Sequence, residues 1–516
     1  MAAPKAQEHA DPQAELLAFL EGGEPLGPVE RRIDTHGAHV LLTRDRAWKM
    51  KRAAHYAYLD FSTRDRRREA LEAELRLNRR TAPELYLGMA PVTRGSDGAL
   101  ALGGEGEPVE WLLEMRRFPD DALLDDIAAR KGLEPPLLTA LADRIVALHA
   151  EAERYSGGDG AARIAAILDG NRRSFADVAD VIPAEQAQAL DTLQRAELDR
   201  CAARLDARAR AGRIRHGHGD LHLRNIALID GAPVLFDCLE FDAELATVDV
   251  LYDLAFLLMD LWHRGQRIDA NIVANRYLDV SPQGAGGYSL LPLFLSIRAA
   301  IRGHVAAAAA RSTGEETKIA EARDYCRLAA DLLAPAAPRL VAVGGLSGTG
   351  KSSVARLIGA WIGRAPGARV LRSDVFRKRL AGVSPETRLP PESYTAAASD
   401  HTYEALFESA EDHLRCGSSV ILDAVFSSRS EREVAQMIAE RDRVPFHGIW
   451  LEAPEQERIA RVSVRSGDAS DAGPTVARDQ SRKSVGDLGS WLRLRANRPL
   501  DIVAQAARAF LERRRR

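Results

Sequence analysis

A glycine-rich stretch at residues 345–352 carries the clearest chemical signal, since it reads Gly-Leu-Ser-Gly-Thr-Gly-Lys-Ser. It satisfies G-x-x-x-x-G-K-[ST], a loop whose backbone N–H groups surround phosphate oxygens. A buried strand is predicted before it at 340–343 and a helix after it from 354, so the helix N-terminus also faces the anion. A chance glycine loop is one alternative; a Rossmann loop is disfavoured because no third glycine follows Gly350. The stretch predicts a nucleoside triphosphate site.

Each polar residue of this loop has an expected role. Lys351 is expected to reach the β- and γ-phosphates, and the Ser352 hydroxyl is expected to ligate Mg²⁺. The other residues expected to contact the triphosphate are Gly345, Ser347, Gly348, Thr349, Gly350 and Ser353.

Two aspartates follow predicted strands beyond this loop, Asp374 after 368–372 and Asp423 after 418–422. Because parallel strands end at one edge of a sheet, both are expected beside the nucleotide. Asp374 is predicted to accept the proton of an attacking hydroxyl, and Asp423 is predicted as an outer-sphere Mg²⁺ ligand. A helix-capping role is the alternative for Asp423.

Arginines follow a fourth predicted strand at 446–451. Arg461 and Arg465, with Arg458 before them, are predicted to lie on a lid that neutralises charge on the phosphates. The alternative is an exposed helix face.

A second constellation lies upstream of the P-loop. Asp220 and Asn225 are five positions apart, and Asp237 ends the second strand of a hairpin predicted at 226–229 and 233–236. Transfer of a γ-phosphoryl group needs a carboxylate that orients the attacking hydroxyl and oxygen ligands for Mg²⁺. This spacing is that of a kinase catalytic loop followed by a second metal-binding aspartate. Asp220 alone would more often be a turn residue.

Residues 218–225, His-Gly-Asp-Leu-His-Leu-Arg-Asn, together with Phe236-Asp237, resemble the aminoglycoside phosphotransferase-like kinases, a branch of the protein-kinase fold. The resemblance implies that Asp220 is the catalytic base and that Asn225 and Asp237 hold Mg²⁺. Residues 35–39 depart from it, because they form no G-x-G-x-x-G loop.

The same resemblance extends to the strand and helix upstream. Residues 46–49, Arg-Ala-Trp-Lys, make Lys49 the expected phosphate lysine. Lys51 remains the alternative for this role, because both lysines face the same side of a strand. Glu74 is the expected ion-pair partner, ahead of two other glutamates of its helix. Met115 falls where backbone groups of an interlobe hinge would contact adenine.

Residues 339–510 resemble small P-loop kinases of the gluconate kinase, zeta toxin and polynucleotide kinase type. The matching positions are 345–352, 372–374, 422–423 and 470–472. Because it joins both halves, the chain as a whole resembles bacterial proteins described as bifunctional aminoglycoside phosphotransferase/ATP-binding proteins.

Composition narrows the class of protein. The chain has 516 residues, 46% hydrophobic and 28% charged, with a net charge of −3, which gives no support to a large nucleic-acid surface. Its four scattered cysteines exclude common zinc frameworks and suit a reducing cytoplasm. Residues 1–12 lack the apolar core of a signal peptide. The arginines at 513–516 are interpreted as a solvated helix end, with nucleic-acid or membrane binding as the weaker alternative. We therefore predict a cytoplasmic protein without a membrane segment.

The predicted fold class is mixed α/β and α+β in two domains. An N-terminal extension (1–25) precedes a bilobal protein-kinase-like domain (26–333) whose small lobe ends near 116. A linker (334–339) leads to a P-loop NTPase domain (340–516) with a parallel sheet flanked by helices. In the small lobe, strands are predicted at 29–34, 38–43 and 47–52, and a helix capped by Ser62 and Asp65 runs to about Arg80.

These expectations combine into two ATP-dependent kinase sites, each transferring the γ-phosphoryl group to a hydroxyl of a small, preferably sugar-like metabolite. One alternative makes the C-terminal domain an ATP-binding regulatory module for a single kinase. Another makes it a nucleic-acid end kinase, which the charge balance disfavours. The oligomeric state stays open.

Overall fold

The computed structural model describes residues 13–35, 37–56, 59–465, 467–482 and 484–513. The expectations about residues 1–12, about His36 within 35–39 and about the terminal arginines 514–516 lie outside the described residues. The chain divides into two compact units. The first comprises Met1–Leu133, Glu151–Glu153 and Arg215–Val248, and the second comprises Glu134–Ala150, Arg154–Ile214 and Asp249–Arg516.

The strands, in chain order, are β1 Arg31–Asp34, β2 Ala38–Leu42, β3 Arg46–Lys51, β4 His55–Tyr56, β5 Leu59–Asp60, β6 Tyr86–Arg94, β7 Leu100–Leu102, β8 Glu107–Arg116, β9 Ile214–His216, β10 Ile226–Ile229, β11 Ala232–Leu235, β12 Thr247–Asp249, β13 Leu340–Gly345, β14 Arg369–Arg372, β15 Val420–Asp423, β16 Phe446–Glu452 and β17 Leu492–Arg495.

The α-helices, in chain order, are α1 Ala14–Glu21, α2 Arg64–Asn78, α3 Leu124–Lys131, α4 Pro135–Glu151, α5 Gly160–Asp177, α6 Ala184–Arg210, α7 Ala243–Ala246, α8 Val250–His263, α9 Arg267–Val280, α10 Gly284–Tyr288, α11 Leu291–Thr313, α12 Glu316–Asp331, α13 Lys351–Gly359, α14 Ser373–Leu380, α15 Ala396–Arg415, α16 Arg429–Arg441, α17 Glu455–Ser463, α18 Pro474–Ser481 and α19 Leu500–Arg513. Short 3₁₀ turns occur at Asp120–Ala122, Leu223–Asn225 and Pro391–Tyr394.

The first unit is built on an antiparallel sheet in the order β1-β2-β3-β8-β6-β7. Side chains alternate along β3, so Trp48 and Met50 enter an apolar cluster with Leu41 and Leu112. The lysines of β3 therefore point to the opposite face, as the period of two predicts.

Helix α2 begins one residue later than predicted. Its N-cap is Thr63, whose side chain accepts a hydrogen bond from the backbone N–H of Arg66. Ser62 lies outside the helix, and its hydroxyl donates to Asp60 at 2.6 Å. The predicted capping box of Ser62 and Asp65 was therefore wrong, because the adjacent threonine can cap equally well.

The predicted hairpin is confirmed as β10 and β11, paired from Ile226↔Leu235 to Ile229↔Ala232. Its two-residue turn has positive φ at Asp230 (51°) and Gly231 (80°), the conformation that Asp-Gly pairs favour in hairpins. The hairpin places Asn225 immediately before one strand and Asp237 shortly after the other.

The second unit contains a parallel sheet in the order β14-β15-β13-β16-β17. Alternate residues of β13 enter separate cores: Leu340 and Ala342 on one face, Val341 and Val343 on the other. Helices therefore cover both faces, and the predicted fold class is confirmed. Strand β17 was not predicted.

One helical stretch, Gly284–Thr313, is long and apolar enough to cross a membrane by length and composition. Within the described part of the chain, 72% of its apolar window is buried inside the protein.

Candidate active sites

In the first unit, Lys49 of β3 lies between two carboxylates. Its Nζ atom is 2.6 Å from Oε1 of Glu74 on α2 and 2.8 Å from Oδ1 of Asp237 after β11. Glu74 is fully buried, whereas 42% of the Asp237 side chain is exposed. The predicted pair of Lys49 and Glu74 is thus present, and Lys49 also contacts the solvent-exposed carboxylate of Asp237.

Lys51 occupies the deeper end of the same cluster. Its Nζ atom is 2.6 Å from Oε2 of Glu74 and 2.5 Å from Oε1 of Glu240. Glu74 therefore shares its two oxygens between both lysines, and Glu240 neutralises the second one. In this described cluster, Lys49 lies within ion-pair distance of Asp237, whereas Lys51 pairs with Glu74 and Glu240, which favours Lys49 as the phosphate lysine.

The backbone around Asp237 is held by hydrogen bonds from consecutive amides. The N–H of Phe236 donates to the carbonyl of Asn225 at 3.0 Å, and that of Asp237 donates to the Tyr86 hydroxyl at 3.0 Å. The N–H of Cys238 donates to Oδ1 of Asn78 at 2.9 Å. These bonds maintain a positive φ of 60° at Asp237, which few non-glycine residues adopt.

Asp220 and Asn225 are brought together by the turn between them. The Asn225 amide donates to both the backbone carbonyl and the Oδ2 atom of Asp220, each at 2.9 Å. His222 Nε2 lies 3.4 Å from the same carboxylate. The Asp220 side chain remains 37% exposed, so an acceptor hydroxyl could approach it.

Electrostatics hold Lys49 and Asp237 in their charged forms. Burial alone would lower the pKa of Lys49, but the carboxylates of Asp237 and Glu74 raise it well above its ordinary value. Burial raises the pKa of Asp237 and the nearby Asp220 charge adds to this, yet Lys49 brings it below the usual range. Lys49 therefore stays protonated while Asp237 stays ionised.

Met115 lies inside β8, with Ala47 of β3 and Tyr86 of β6 as its register partners. Strands flank it on both sides, and the backbone contact with adenine that the resemblance implies stays a prediction. Its side chain packs against an apolar cluster that includes Leu71 and Leu113. Phe118 and Phe236, whose ring centroids are 5.4 Å apart, pack against the same cluster. An adenine ring could pack against that surface.

In the second unit, the P-loop joins β13 to α13 through glycines with positive φ, among them Gly348 (85°) and Gly350 (86°). A Cβ atom at Gly348 would lie 2.5 Å from the carbonyl oxygen of Arg458. Only glycine fits this path, which leaves the loop backbone open toward an anion at the N-terminus of α13.

The Ser352 hydroxyl donates to Oδ2 of Asp423 at 2.6 Å. Arg372 Nε lies 3.4 Å from the same oxygen, and Arg372 Nη2 lies 2.6 Å from Oδ1 of Asp468. Cα register partners in the sheet place Arg372 of β14 beside Asp423 of β15. Hydroxyl and carboxylate oxygens are the ligands that Mg²⁺ prefers.

Lys351 and Asp374 act on each other electrostatically. Burial lowers the pKa of Lys351, and the charges of Asp423 and Asp374 oppose this. Burial raises the pKa of Asp374, the Asp423 charge adds to this, and Arg372 and Lys351 oppose it. The carboxylate is therefore a stronger base than an exposed aspartate.

The predicted lid arginines contact backbone carbonyls. Arg461 donates to the carbonyls of Gly348 at 3.4 Å and Ala496 at 2.8 Å, and Arg465 donates to the carbonyl of Ala472 at 2.8 Å. Arg458 is buried and donates to the Ser347 carbonyl at 3.2 Å, so it braces the P-loop.

Among the described residues, no group of three or more His, Cys, Asp or Glu side chains is arranged to hold a metal ion. The candidate Mg²⁺ ligands at each site, Asn225 with Asp237 and Ser352 with Asp423, fit sites completed by phosphate oxygens of the nucleotide.

Sequence comparison finds relatives that span most of the chain. The uncharacterized protein Rv2004c of Mycobacterium tuberculosis is 30% identical over 455 residues, covering 86% of this chain and 88% of that protein. The uncharacterized protein Mb2027c of Mycobacterium bovis matches to the same extent. The chain belongs to their family.

A family model described as an AAA domain matches residues 340–486. The match confirms the P-loop resemblance predicted for the C-terminal part and implies ATP binding there. With the geometry of both sites, it supports the prediction of a kinase enzyme.

Members of both predicted kinase groups are among the similar solved structures. An aminoglycoside 2'-phosphotransferase-IIIa is 12% identical, covering 62% of this chain and 98% of its own, with a TM-score of 0.36. A gluconokinase from Sinorhizobium meliloti is 20% identical, covering 34% and 93%, with a TM-score of 0.25. Both TM-scores are below 0.5, so neither fold nor function of this chain follows from them.

Several site contacts escaped sequence reasoning. Glu240, which pairs with Lys51, lies three residues after Asp237, and this closeness in sequence was the one sign that linked it to the site. The partners Tyr86 and Asn78 had no signal, because their hydrogen bonds go to backbone amides. Asp468 of the loop before α18 likewise pairs with Arg372 through a contact that no local pattern encodes.

Proposed function

We propose that this chain is an ATP-dependent phosphotransferase with two kinase sites, each phosphorylating a hydroxyl group of a small molecule. The proposal rests on the position of Lys49 between two carboxylates. Its Nζ atom lies 2.6 Å from Glu74 Oε1 and 2.8 Å from Asp237 Oδ1. A cation held between a buried and an accessible carboxylate is poised to contact nucleotide phosphates. The P-loop of the second unit supplies an independent phosphate site.

At the first site, Lys49 would bind nucleotide phosphates while Glu74 fixes its position. Asp220, oriented by the Asn225 amide, would accept the proton of the acceptor hydroxyl as that oxygen attacks the γ-phosphorus. Asn225 and Asp237 would hold Mg²⁺, which neutralises phosphate charge when bound.

At the second site, the P-loop amides and Lys351 would bind the triphosphate. Asp374, with its raised pKa, would accept the acceptor proton. Ser352 and Asp423 would hold Mg²⁺. Arg461 and Arg465 already contact backbone around the loop, so binding phosphate would require them to change partners.

The acceptor class favoured here is a sugar-like polyol. The near-neutral net charge of −3 disfavours a nucleic-acid acceptor. The free, mostly buried cysteines suit the reducing cytoplasm, where ATP is available.

A pool of small metabolites incubated with γ-labelled ATP tests this function on the full chain. Asp220→Ala and Asp374→Ala are each expected to abolish a different set of labelled products while nucleotide binding persists. Full transfer by either variant would overturn the role of that aspartate.

One observation favours a second candidate, in which the P-loop part regulates the first site. The P-loop part shares one compact unit with residues 154–214 and 249–333. In that case Lys351→Ala would change the turnover of the first site without abolishing a separate reaction.

A further inference from the structure

Strand β14, which ends immediately before Ser373 and Asp374, lies at the edge of the parallel sheet. One side of it pairs with β15, from Arg369↔Val420 to Arg372↔Asp423. The other side would present unpaired backbone groups, as edge strands do. Helix α9 covers that side, although it lies more than sixty residues before the P-loop.

Asn275 of α9 acts as a neighbouring strand would. Its Oδ1 atom accepts the backbone N–H of Val370 at 2.7 Å, and its Nδ2 atom donates to the carbonyl of Ala368 at 3.2 Å. One side-chain amide thus satisfies the N–H of Val370 on the open side of β14 and the carbonyl of Ala368, the residue just before the strand.

Asn271, one turn earlier on α9, extends this pairing to the loop before β14. Its Nδ2 atom donates to the carbonyls of Pro366 and Ala368, each at 3.0 Å. Glycines permit the approach: a Cβ atom at Gly359 would lie 2.5 Å from Asn271 Oδ1, and one at Gly367 would lie 2.8 Å from Asn271 Nδ2.

A buried ion pair completes the contact. Arg369, the first residue of β14, is 2% exposed, and its Nη2 atom lies 2.6 Å from Oδ1 of Asp279. Its Nη1 atom donates to Asn275 Oδ1 at 2.8 Å. Asn271, Asn275 and Asp279 are spaced by four residues, so they form one stripe on α9.

The C-terminal end of this four-residue strand leads into the proposed second kinase site. Arg372 contacts Asp423, and Asp374 follows in the first turn of α14. A one-residue slip of a strand turns every side chain to the other face, so the register of β14 decides where both residues point.

We propose that α9 is a positioning element for the second kinase site. Its stripe of Asn271, Asn275 and Asp279 fixes the register of β14, and through it Arg372 and Asp374. This inference rests on the proposed function of that site. It predicts that loss of the Asn275 amide affects turnover more than ATP binding. Asn275 bonds Val370 and Ala368, whereas Lys351 and Ser352 begin α13, at the end of that helix opposite to Gly359, where Asn271 contacts it.

The test uses full-length chains that carry Asp220→Ala, so that phosphate release from ATP into water reports the second site alone. Asn275→Leu is expected to lower kcat by about tenfold or more, as small displacements of a catalytic group do. The KM for ATP should stay within about twofold. Asn275→Asp, which keeps the acceptor for Val370 and Arg369, should recover part of kcat. Arg276→Gln, on the same helix but paired with Asp143 and Glu386, is the matched control.

Amide hydrogen exchange provides a readout that needs no turnover. Exchange at Val370 should accelerate in Asn275→Leu and stay unchanged in Arg276→Gln. Normal kcat in Asn275→Leu, equal losses of kcat and ATP affinity, or unchanged exchange at Val370 would overturn the inference. If Lys351→Ala released phosphate as fast as the parent chain, the proposed function would fail instead, while exchange at Val370 would still decide whether α9 holds β14.

Discussion

The hydroxyl of Ser352 donates to the carboxylate of Asp423 at 2.6 Å, although the two residues are 71 positions apart. The contact joins the first turn of the P-loop helix to the end of the neighbouring strand β15. It places two oxygen ligands side by side where the β- and γ-phosphates would lie. The proposed Mg²⁺ ligands Ser352 and Asp423 therefore lie side by side, as binding of a metal–nucleotide complex would require.

Loss of the Ser352 hydroxyl should raise the Mg²⁺ requirement of the second site. We expect Ser352→Ala to raise the Mg²⁺ concentration for half-maximal activity by about tenfold. Ser352→Thr, which keeps a hydroxyl, should stay near the parent value. Titration of the labelled products that depend on Asp374 against Mg²⁺ measures both. Equal Mg²⁺ requirements for the alanine and threonine variants would contradict the assignment.

The two lysines of β3 should differ in importance. Lys49→Met should lower kcat at the first site by about a hundredfold or more, because it removes the cation beside Asp237. Lys51→Met should cost less, since Lys49 keeps Glu74 as its partner. The measurement is the initial rate of the products that Asp220→Ala abolishes. A larger loss for Lys51→Met would reverse the two roles.

The pH dependence of the second site should follow Asp374. Burial raises the pKa of this carboxyl, and the rate should rise with pH through that raised pKa because the base must be ionised. Arg372 lowers the pKa, so Arg372→Gln should move the acidic limb of the kcat profile to higher pH. Arg465→Gln is the control, as its charge is not among the main influences on Asp374. A limb that stays in place in Arg372→Gln would show that another group titrates.

Alanine substitutions at two P-loop glycines should lower the free energy of unfolding by different amounts. Gly348→Ala should lower the free energy of unfolding by about 3 kcal/mol, since positive φ adds to a Cβ atom 2.5 Å from the Arg458 carbonyl. Gly350→Ala has nothing within 4 Å of its Cβ and should cost only about 1 to 2 kcal/mol. Urea unfolding without nucleotide compares them. Equal costs would mean that the loop relaxes away from Arg458.

Local signals predicted much of the fold. The Asp230-Gly231 turn, the alternation along β3 and the apolar run before the P-loop each specify an element through contacts within a few residues. Strand β17 was missed because its alternating leucines and arginines, at the edge of the sheet, lack the continuous apolar run of β13.

The site was predictable only as far as motifs reach. Spacing singled out Asp220, Asn225 and Asp237 as candidates, but it could not separate Lys49 from Lys51, which share one face of β3. That distinction depends on Glu240, which pairs with a lysine 189 positions away. The stripe on α9 was equally hidden, because asparagines that cap a strand edge look like ordinary helix residues in sequence.

Two separate nucleotide sites on one chain are the central claim, and equilibrium titration with a non-hydrolysable ATP analogue and Mg²⁺ tests it most directly. We predict two analogue molecules bound per chain, one in Lys351→Ala, one in Asp237→Asn, and none when both changes are combined. A parent chain that binds a single analogue, or a single substitution that removes all binding, would contradict the claim.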